Sequence, residues 1–171
     1  MPTLVMMHGM TGTAEMMRPL AEKILPDNWD LLVPEAGFEH PSRGFTWWRY
    51  EGGDNPRRRI LSATELSDVD SSLLKLSNIL PDDKLVLGGF SQGGAMAQEL
   101  LQFDHQVIGI IAMGTRVVRP MEIKQRLLEI PTGKMLWMHG ESDHRVSLEA
   151  GLEIPELFEE SGWDVTRIQH P

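Results

Sequence analysis

The sequence predicts an α/β fold built on a mostly parallel sheet. Short apolar runs alternate with longer stretches of helical period, the signature of repeated strand-helix-strand units. Capping and turn residues mark several of the boundaries between them. The 171 residues, 41% hydrophobic and 24% charged, suit one domain that buries its own core, with no repeat or low-complexity segment.

Taken in order, Thr3-Leu4-Val5-Met6-Met7 reads as a buried strand. Thr13 to Leu25 follows as a helix with Met16, Met17, Leu20 and Ile24 along one side. Asp30 to Val33 is a second strand, ended by Pro34. Residues 34–60, rich in Gly, Pro, Arg and aromatics, read as a long loop of the functional or mobile kind. Ser62-Ala63-Thr64-Glu65 is a capping box, and Leu66, Val69, Leu73, Leu76 and Leu80 continue that helix at spacings of three and four. Lys84 to Gly88 is the third strand, Gln92 to Phe103 a helix, and Val107 to Met113 the fourth strand. Pro120 suits the first turn of a short helix to Leu128. Lys134 to Met138 is the fifth strand. Ser147 to Ser161 is a helix closed by Gly162 and expected to kink at Pro155, which removes a backbone bond. Val165 to Gln169 is the sixth strand.

The net charge of −9 disfavours nucleic acid and anionic membranes as partners, since both need Lys and Arg to meet their phosphates. The one basic run, Arg57-Arg58-Arg59, reads as a solvated loop or helix entry. The absence of cysteine excludes disulfides, thiolate metal sites and a cysteine nucleophile. No signal peptide is visible, and no apolar stretch approaches the roughly 18 residues of a membrane span. The expected location is the cytoplasm, with no stable membrane insertion. No metal-ligand spacing or cofactor motif is present, so none is expected.

Chemistry concentrates at Gly89-Phe90-Ser91-Gln92-Gly93, which follows an apolar strand and precedes a helix. That is the setting of a nucleophile elbow. The serine must sit on a tight turn with its hydroxyl exposed above the sheet, and glycines two residues away on either side let the turn close. The helix starting at Gln92 directs its positive end at Ser91, which favours a developing anion. A plain glycine-rich strand-to-helix turn is the competing reading, but no second phosphate-binding signature accompanies it.

Gly88-Gly89-Phe90-Ser91-Gln92-Gly93-Gly94-Ala95 resembles the nucleophile segment of the phospholipase/carboxylesterase family of α/β-hydrolases, which includes bacterial carboxylesterases and acyl-protein thioesterases. Three further segments match in order. Met7-His8-Gly9-Met10 resembles the family's oxyanion loop, Trp47-Trp48 its aromatic stretch, and Met138-His139-Gly140-Glu141-Ser142-Asp143 its acid loop. The resemblance implies an α/β-hydrolase fold, a mostly parallel sheet with helices on both faces. It also implies a serine hydrolase that cleaves small acyl esters or thioesters through an acyl-enzyme on Ser91.

Backbone N–H donors that meet the tetrahedral oxyanion are worth roughly 3 kcal/mol each in the barrier. One is expected from Gln92, directly after the nucleophile. The resemblance implies Met10 as the second. His8 and His139 read as histidines that bond backbone and fix their turns. A serine needs a histidine to take its proton and a carboxylate to hold that histidine. Asp143 stands where the acid belongs. Glu141 is the alternative, and a loop-forming or helix-capping role for Asp143 is the competing reading. After Asp143 only His144 and His170 remain, and His144 adjoins the acid too closely to bridge it to Ser91. His170 is the candidate base.

Relatives place an aromatic and a proline where His170-Pro171 stand, so the base is alternatively expected beyond Pro171. The chain, residues 1–171 as a single domain, is on this reading cut short, without the family's first two strands and its C-terminal helix. Met10, Phe45, Trp47, Trp48 and Val146 are candidate walls of an apolar acyl cleft, and eleven methionines suit an adaptable pocket. A homodimer is a candidate assembly, and a catalytically inactive hydrolase-fold binding module is the rival function.

Overall fold

The computed structural model describes residues 1–51 and 60–171, so the run Arg57-Arg58-Arg59 lies outside the described residues. The sheet strands are β1 (Thr3–Met7), β2 (Asp30–Leu32), β5 (Lys84–Phe90), β6 (Gln106–Met113), β7 (Lys134–Gly140) and β8 (Asp164–His170), with β3 (Phe38–Glu39) and β4 (Phe45–Thr46) apart from them. The six lie in the order β2-β1-β5-β6-β7-β8, and every neighbouring pair is parallel. The chain starts inside the sheet, steps outward to β2, then returns past β1 to β5 and continues to the other edge. The direction of travel therefore reverses between β1 and β5. Ligands bind at such a switch point, beyond the carboxyl ends of the strands.

The helices α1 (Ala14–Ile24), α2 (Ala63–Ile79), α3 (Gln92–Glu99), α4 (Pro120–Leu127) and α5 (Leu148–Glu160) connect the strands. Capping follows the sequence. Ser62 and Glu65 form the reciprocal capping box of α2, and Ser147 Oγ accepts the Ala150 N–H at the start of α5. Gly162 closes α5 with a φ of 88°, which glycine adopts without penalty. Helix α5 runs through Pro155, whose side chain is buried.

Strand side chains alternate between the faces, and the faces are covered unequally. Val5, Met7, Leu85, Leu87, Ile110, Ala112, Met135 and Trp137 join buried residues of α2, α3, α4 and α5 in the main core. Leu4 and Met6 pack with Met17 and Ala21 of α1, and with Val33, on the opposite side. Val86, Ile111 and Met113 on that side are partly buried, and Ile168 is exposed. Among the described residues helices do lie on both faces, with α1 alone on the second.

Two expectations change. The apolar side of α1 is not Met16, Leu20 and Ile24, which are exposed; Met17 and Ala21 face the sheet. Two rotations of a helix one residue apart look nearly equivalent in sequence, and close packing on β1 selects the one that places the small Ala21 inward. The segment read as a long loop also holds the antiparallel ribbon of β3 with β4. Strands of two residues are too short to show a period.

Candidate active site

Ser91 stands between β5 and α3 with φ 54° and ψ −120°, outside the regions open to most L-residues. Its N–H donates to the Met113 carbonyl at 2.9 Å, and its carbonyl accepts from Gly94, Ala95 and the Thr115 hydroxyl. The flanking glycines are sterically required. A Cβ on Gly89 would lie 2.3 Å from the Gly93 carbonyl carbon, and one on Gly93 would lie 2.1 Å from the Met7 oxygen. The sharp turn exists because β1, β5 and α3 approach here without side chains between them.

The loop after β1 crosses beside the serine. A Cβ on Gly9 would come within 3.4 Å of Ser91 Cβ. Strand β4 braces this loop: Thr11 N–H donates to the Phe45 carbonyl, and Phe45 N–H to the Gly12 carbonyl. Thr11 is held at φ 70°, a strained state for a β-branched residue, directly after Met10. Met10, Ser91 and Gln92 line one narrow pocket with Trp48, Tyr50, Ala95, Thr115, Arg116, Arg145 and Val146. It is partly open to solvent, with a cavity volume of about 30 Å³.

The Gln92 side chain has a role that the sequence reading missed. It is buried, its Oε1 accepts from Trp47 N–H and from the Thr46 hydroxyl, and its Nε2 donates to the Trp48 carbonyl. Ser72 Oγ adds a bond to the Trp47 carbonyl. A glutamine directly after a serine in an elbow motif carries no periodic signal of such a clamp.

The expected aromatic wall residues separate. Trp48 lines the pocket. Phe45 packs against the main core instead. Trp47 does not line the pocket either: its ring is buried, stacks on His8, and donates Nε1–H to the His8 carbonyl. The reason is the Gln92 clamp, which holds the Trp47 backbone against α3 while the indole turns inward. His8 Nδ1 donates to the Gly9 carbonyl while Nε2 accepts from Ala36 N–H, a single neutral tautomer. Burial lowers its pKa.

Asp143 sits in the turn after β7. Its Oδ1 accepts N–H groups from Arg145 and Val146 at 2.8 and 2.9 Å, so loop shaping occupies one oxygen. Oδ2 is 3.9 Å from His139 Nε2. That imidazole is fully buried, and its Nε2–H donates to the Val146 carbonyl, which ties it to the turn. Asp143 and His170 line a second cavity with Phe90, Met113, Gly114, Met138, Gly140, Ser142 and Pro171. The exposed His170 ring rests beside Gly140, with Nδ1 3.3 Å from the Pro171 carbonyl. The structure thus brings His170 to the acid's cavity and not to the Ser91 pocket. Among the described residues no cluster of His, Asp and Glu could hold a metal ion.

The family model of the phospholipase/carboxylesterases matches residues 1–168. The chain belongs to that family. Within the family, it is 25% identical over 168 residues to acyl-protein thioesterase 1 of Cryptococcus neoformans, covering 87% of this chain and 69% of that protein. Among solved structures it resembles Zea mays acyl-protein thioesterase 2, with a TM-score of 0.75 at 20% identity over 99% of this chain and 84% of the other. It also resembles a phospholipase/carboxylesterase from Dyadobacter fermentans, with a TM-score of 0.72 at 19% identity over 99% and 80% of the two chains. The structural likenesses establish the α/β-hydrolase fold, and the family is one of hydrolases. Among the described residues no helix is long and apolar enough to cross a membrane.

Proposed function

We propose that this chain is a cytoplasmic serine hydrolase of the carboxylesterase or thioesterase type, with Ser91 as nucleophile. The observation that carries the reading is the backbone of Ser91, φ 54° and ψ −120°, at the switch point of the sheet. Strain of this kind costs on the order of 1–3 kcal/mol and persists where the surroundings enforce it. Here it lifts a serine hydroxyl into a pocket at the amino end of α3.

In the proposed reaction Ser91 Oγ attacks the acyl carbon while a histidine takes its proton. The carbonyl oxygen becomes an oxyanion that accepts from the Gln92 and Met10 N–H groups. Collapse expels the alcohol or thiol, which receives the proton, and water then releases the acid by the same steps. Asp143 holds the histidine through Oδ2, because Oδ1 is already bonded to its own loop. His170 is the candidate base. It shares a cavity with Asp143, and the mechanism requires its ring to move from Gly140 to bridge Asp143 and Ser91. Trp48 and Val146 are proposed to contact the acyl group.

The resting place of the His170 ring favours one second reading, a hydrolase fold that binds ligands without turnover. A fluorophosphonate probe separates the two, since it reports an activated serine without knowledge of the substrate. Labelling of the 171-residue chain that disappears in Ser91→Ala supports the hydrolase. A folded chain that resists the probe even when extended beyond Pro171 supports the binding module, whereas labelling gained with the extension assigns the base to it.

A further inference from the structure

We propose that Phe90 positions the catalytic base: the histidine that bridges Ser91 and Asp143 lies across the face of the Phe90 ring. The inference rests on the hydrolase reading and adds to it a positioning residue that makes no bond to substrate. Its basis is where the ring sits. Phe90 ends β5, and it is half exposed although it is large and apolar. Both edges of its ring meet backbone that carries no side chain. On one edge Cδ1 lies 3.1 Å from the point that a Cβ on Gly9 would occupy, and Ser91 Cβ lies 3.4 Å from the same point. On the other edge Cε2 lies 3.0 Å from the point that a Cβ on Gly114 would occupy, and Asp143 Oδ2 lies 3.5 Å from that point. The ring therefore spans the gap from the nucleophile to the acid. It reaches the acid at Oδ2, while Oδ1 is bonded to its own loop.

A histidine that takes the Ser91 proton must hydrogen-bond to both groups, at roughly 3 Å from each. An imidazole so placed has the Phe90 ring beneath it. The strand register agrees. Phe90 pairs with Met113 and Met113 with Met138, while Gly140, two residues on, pairs with His170. All of these residues lie on one face at the carboxyl ends of the strands and line one cavity with Asp143. They form a floor of ring, thioether and glycine along which the His170 ring passes from Gly140 towards Ser91. The face of an aromatic ring is negative and attracts a cation. The base becomes an imidazolium as Ser91 attacks, so the ring favours the charge that the transition state develops. Among the described residues only Asp143 and His170 of this lining have side chains that titrate, and no Lys or Arg there competes for the ring face.

The test compares Phe90→Leu, which keeps apolar bulk and removes the aromatic face, with Phe90→Tyr, which keeps the face. Should Leu unfold the chain, Phe90→Met replaces it. Fluorophosphonate labelling and p-nitrophenyl acetate turnover are followed across about pH 5 to 9 in the parent and both variants, with thermal unfolding alongside. If only a chain extended beyond Pro171 labels, the series uses that chain. Phe90→Leu is expected to lower kcat/KM about tenfold through kcat, with KM unchanged, and to move the acid limb of the profile down by about half a pH unit. The shift is downward because the protonated base loses its partner. Phe90→Tyr should restore the rate to within about twofold and return the limb to its parental place. Four results overturn the platform while labelling of Ser91 still upholds the hydrolase. They are a parental rate and limb in Phe90→Leu, a loss carried by KM alone, a fall in kcat without movement of the limb, and a folded Phe90→Tyr that behaves as Phe90→Leu. A folded parent that never labels, extended or not, refutes the hydrolase reading and the platform together.

Discussion

Gln92 Oε1 accepts the Trp47 backbone N–H at 2.9 Å, which ties the nucleophile helix to the aromatic loop 45 residues away. The same side chain holds the Thr46 hydroxyl and the Trp48 carbonyl. One glutamine thus positions the N–H proposed for the oxyanion and the tryptophan proposed for the acyl wall. Gln92→Ala should leave the Trp47 N–H buried and unpaired, while the Thr46 hydroxyl and the Trp48 carbonyl keep their bond to each other. It is expected to cost about 2 kcal/mol or more in denaturant unfolding, with weaker use of ester substrates. Stability within about 0.5 kcal/mol of the parent would show that the clamp does not hold the loop.

Ser91 should be more stable as glycine than as alanine. Both substitutions delete the hydroxyl, but only glycine relieves φ 54°. Ser91→Gly is expected to exceed Ser91→Ala by about 1 kcal/mol or more in unfolding free energy, and neither variant should hydrolyse a p-nitrophenyl ester. Equal stabilities would mean that the turn stores no strain.

Asp143→Asn is expected to separate folding from chemistry. Asparagine keeps an oxygen for the Arg145 and Val146 N–H groups, so the acid loop should hold its shape. The charge on the other oxygen is lost, and turnover should fall on the order of 10⁴-fold. Asp143→Ala removes the loop acceptor as well and should unfold at a lower temperature than Asp143→Asn. Full activity in Asp143→Asn would shift the acid's role to Glu141.

Glu99 should make stability fall as pH rises. Burial raises its pKa from 4.5 to about 7, and the nearby Arg119 guanidinium, 3.3 Å away, offsets only part of that. Asp70 and Glu122 push in the same direction as burial. A carboxyl with a raised folded pKa binds more protons folded than unfolded between those two values. Its contribution is thus fully present below pH 4.5 and is lost as pH climbs through about 7. The loss is a few kcal/mol at most, at about 1.4 kcal/mol per unit. Glu99→Gln should flatten the pH dependence of unfolding over that window and unfold later than the parent at about pH 8, above both values. An unaltered slope in Glu99→Gln would assign the dependence to other groups.

Much of this architecture is legible in the sequence because it rests on short-range pattern. Six short runs correspond to the six strands of the parallel sheet, and the strongly apolar ones, β1 and β5 above all, record burial, while the edge strand β8 is mostly exposed. The capping box at Ser62 and the stop at Gly162 need only residues a few positions apart. The Ser91 elbow is legible for the same reason: the glycines it needs are its near neighbours, and the steric demand on them is local.

Whatever depends on contact between distant segments was decided only by the folded chain. Trp47 and Trp48 look interchangeable in sequence and both are buried in the main core, yet Trp47 stacks on His8 while Trp48 alone also lines the pocket. Met16 and Met17 look equally apolar, yet only Met17 meets β1. Arg116 and Arg145 lie on separate loops, and nothing in either segment announces a shared pocket. Local steric and capping rules act over a few residues and leave a readable trace. Side-chain placement is set by packing and hydrogen-bond partners that arrive from elsewhere in the chain, so it becomes visible only once the sheet has brought those segments together.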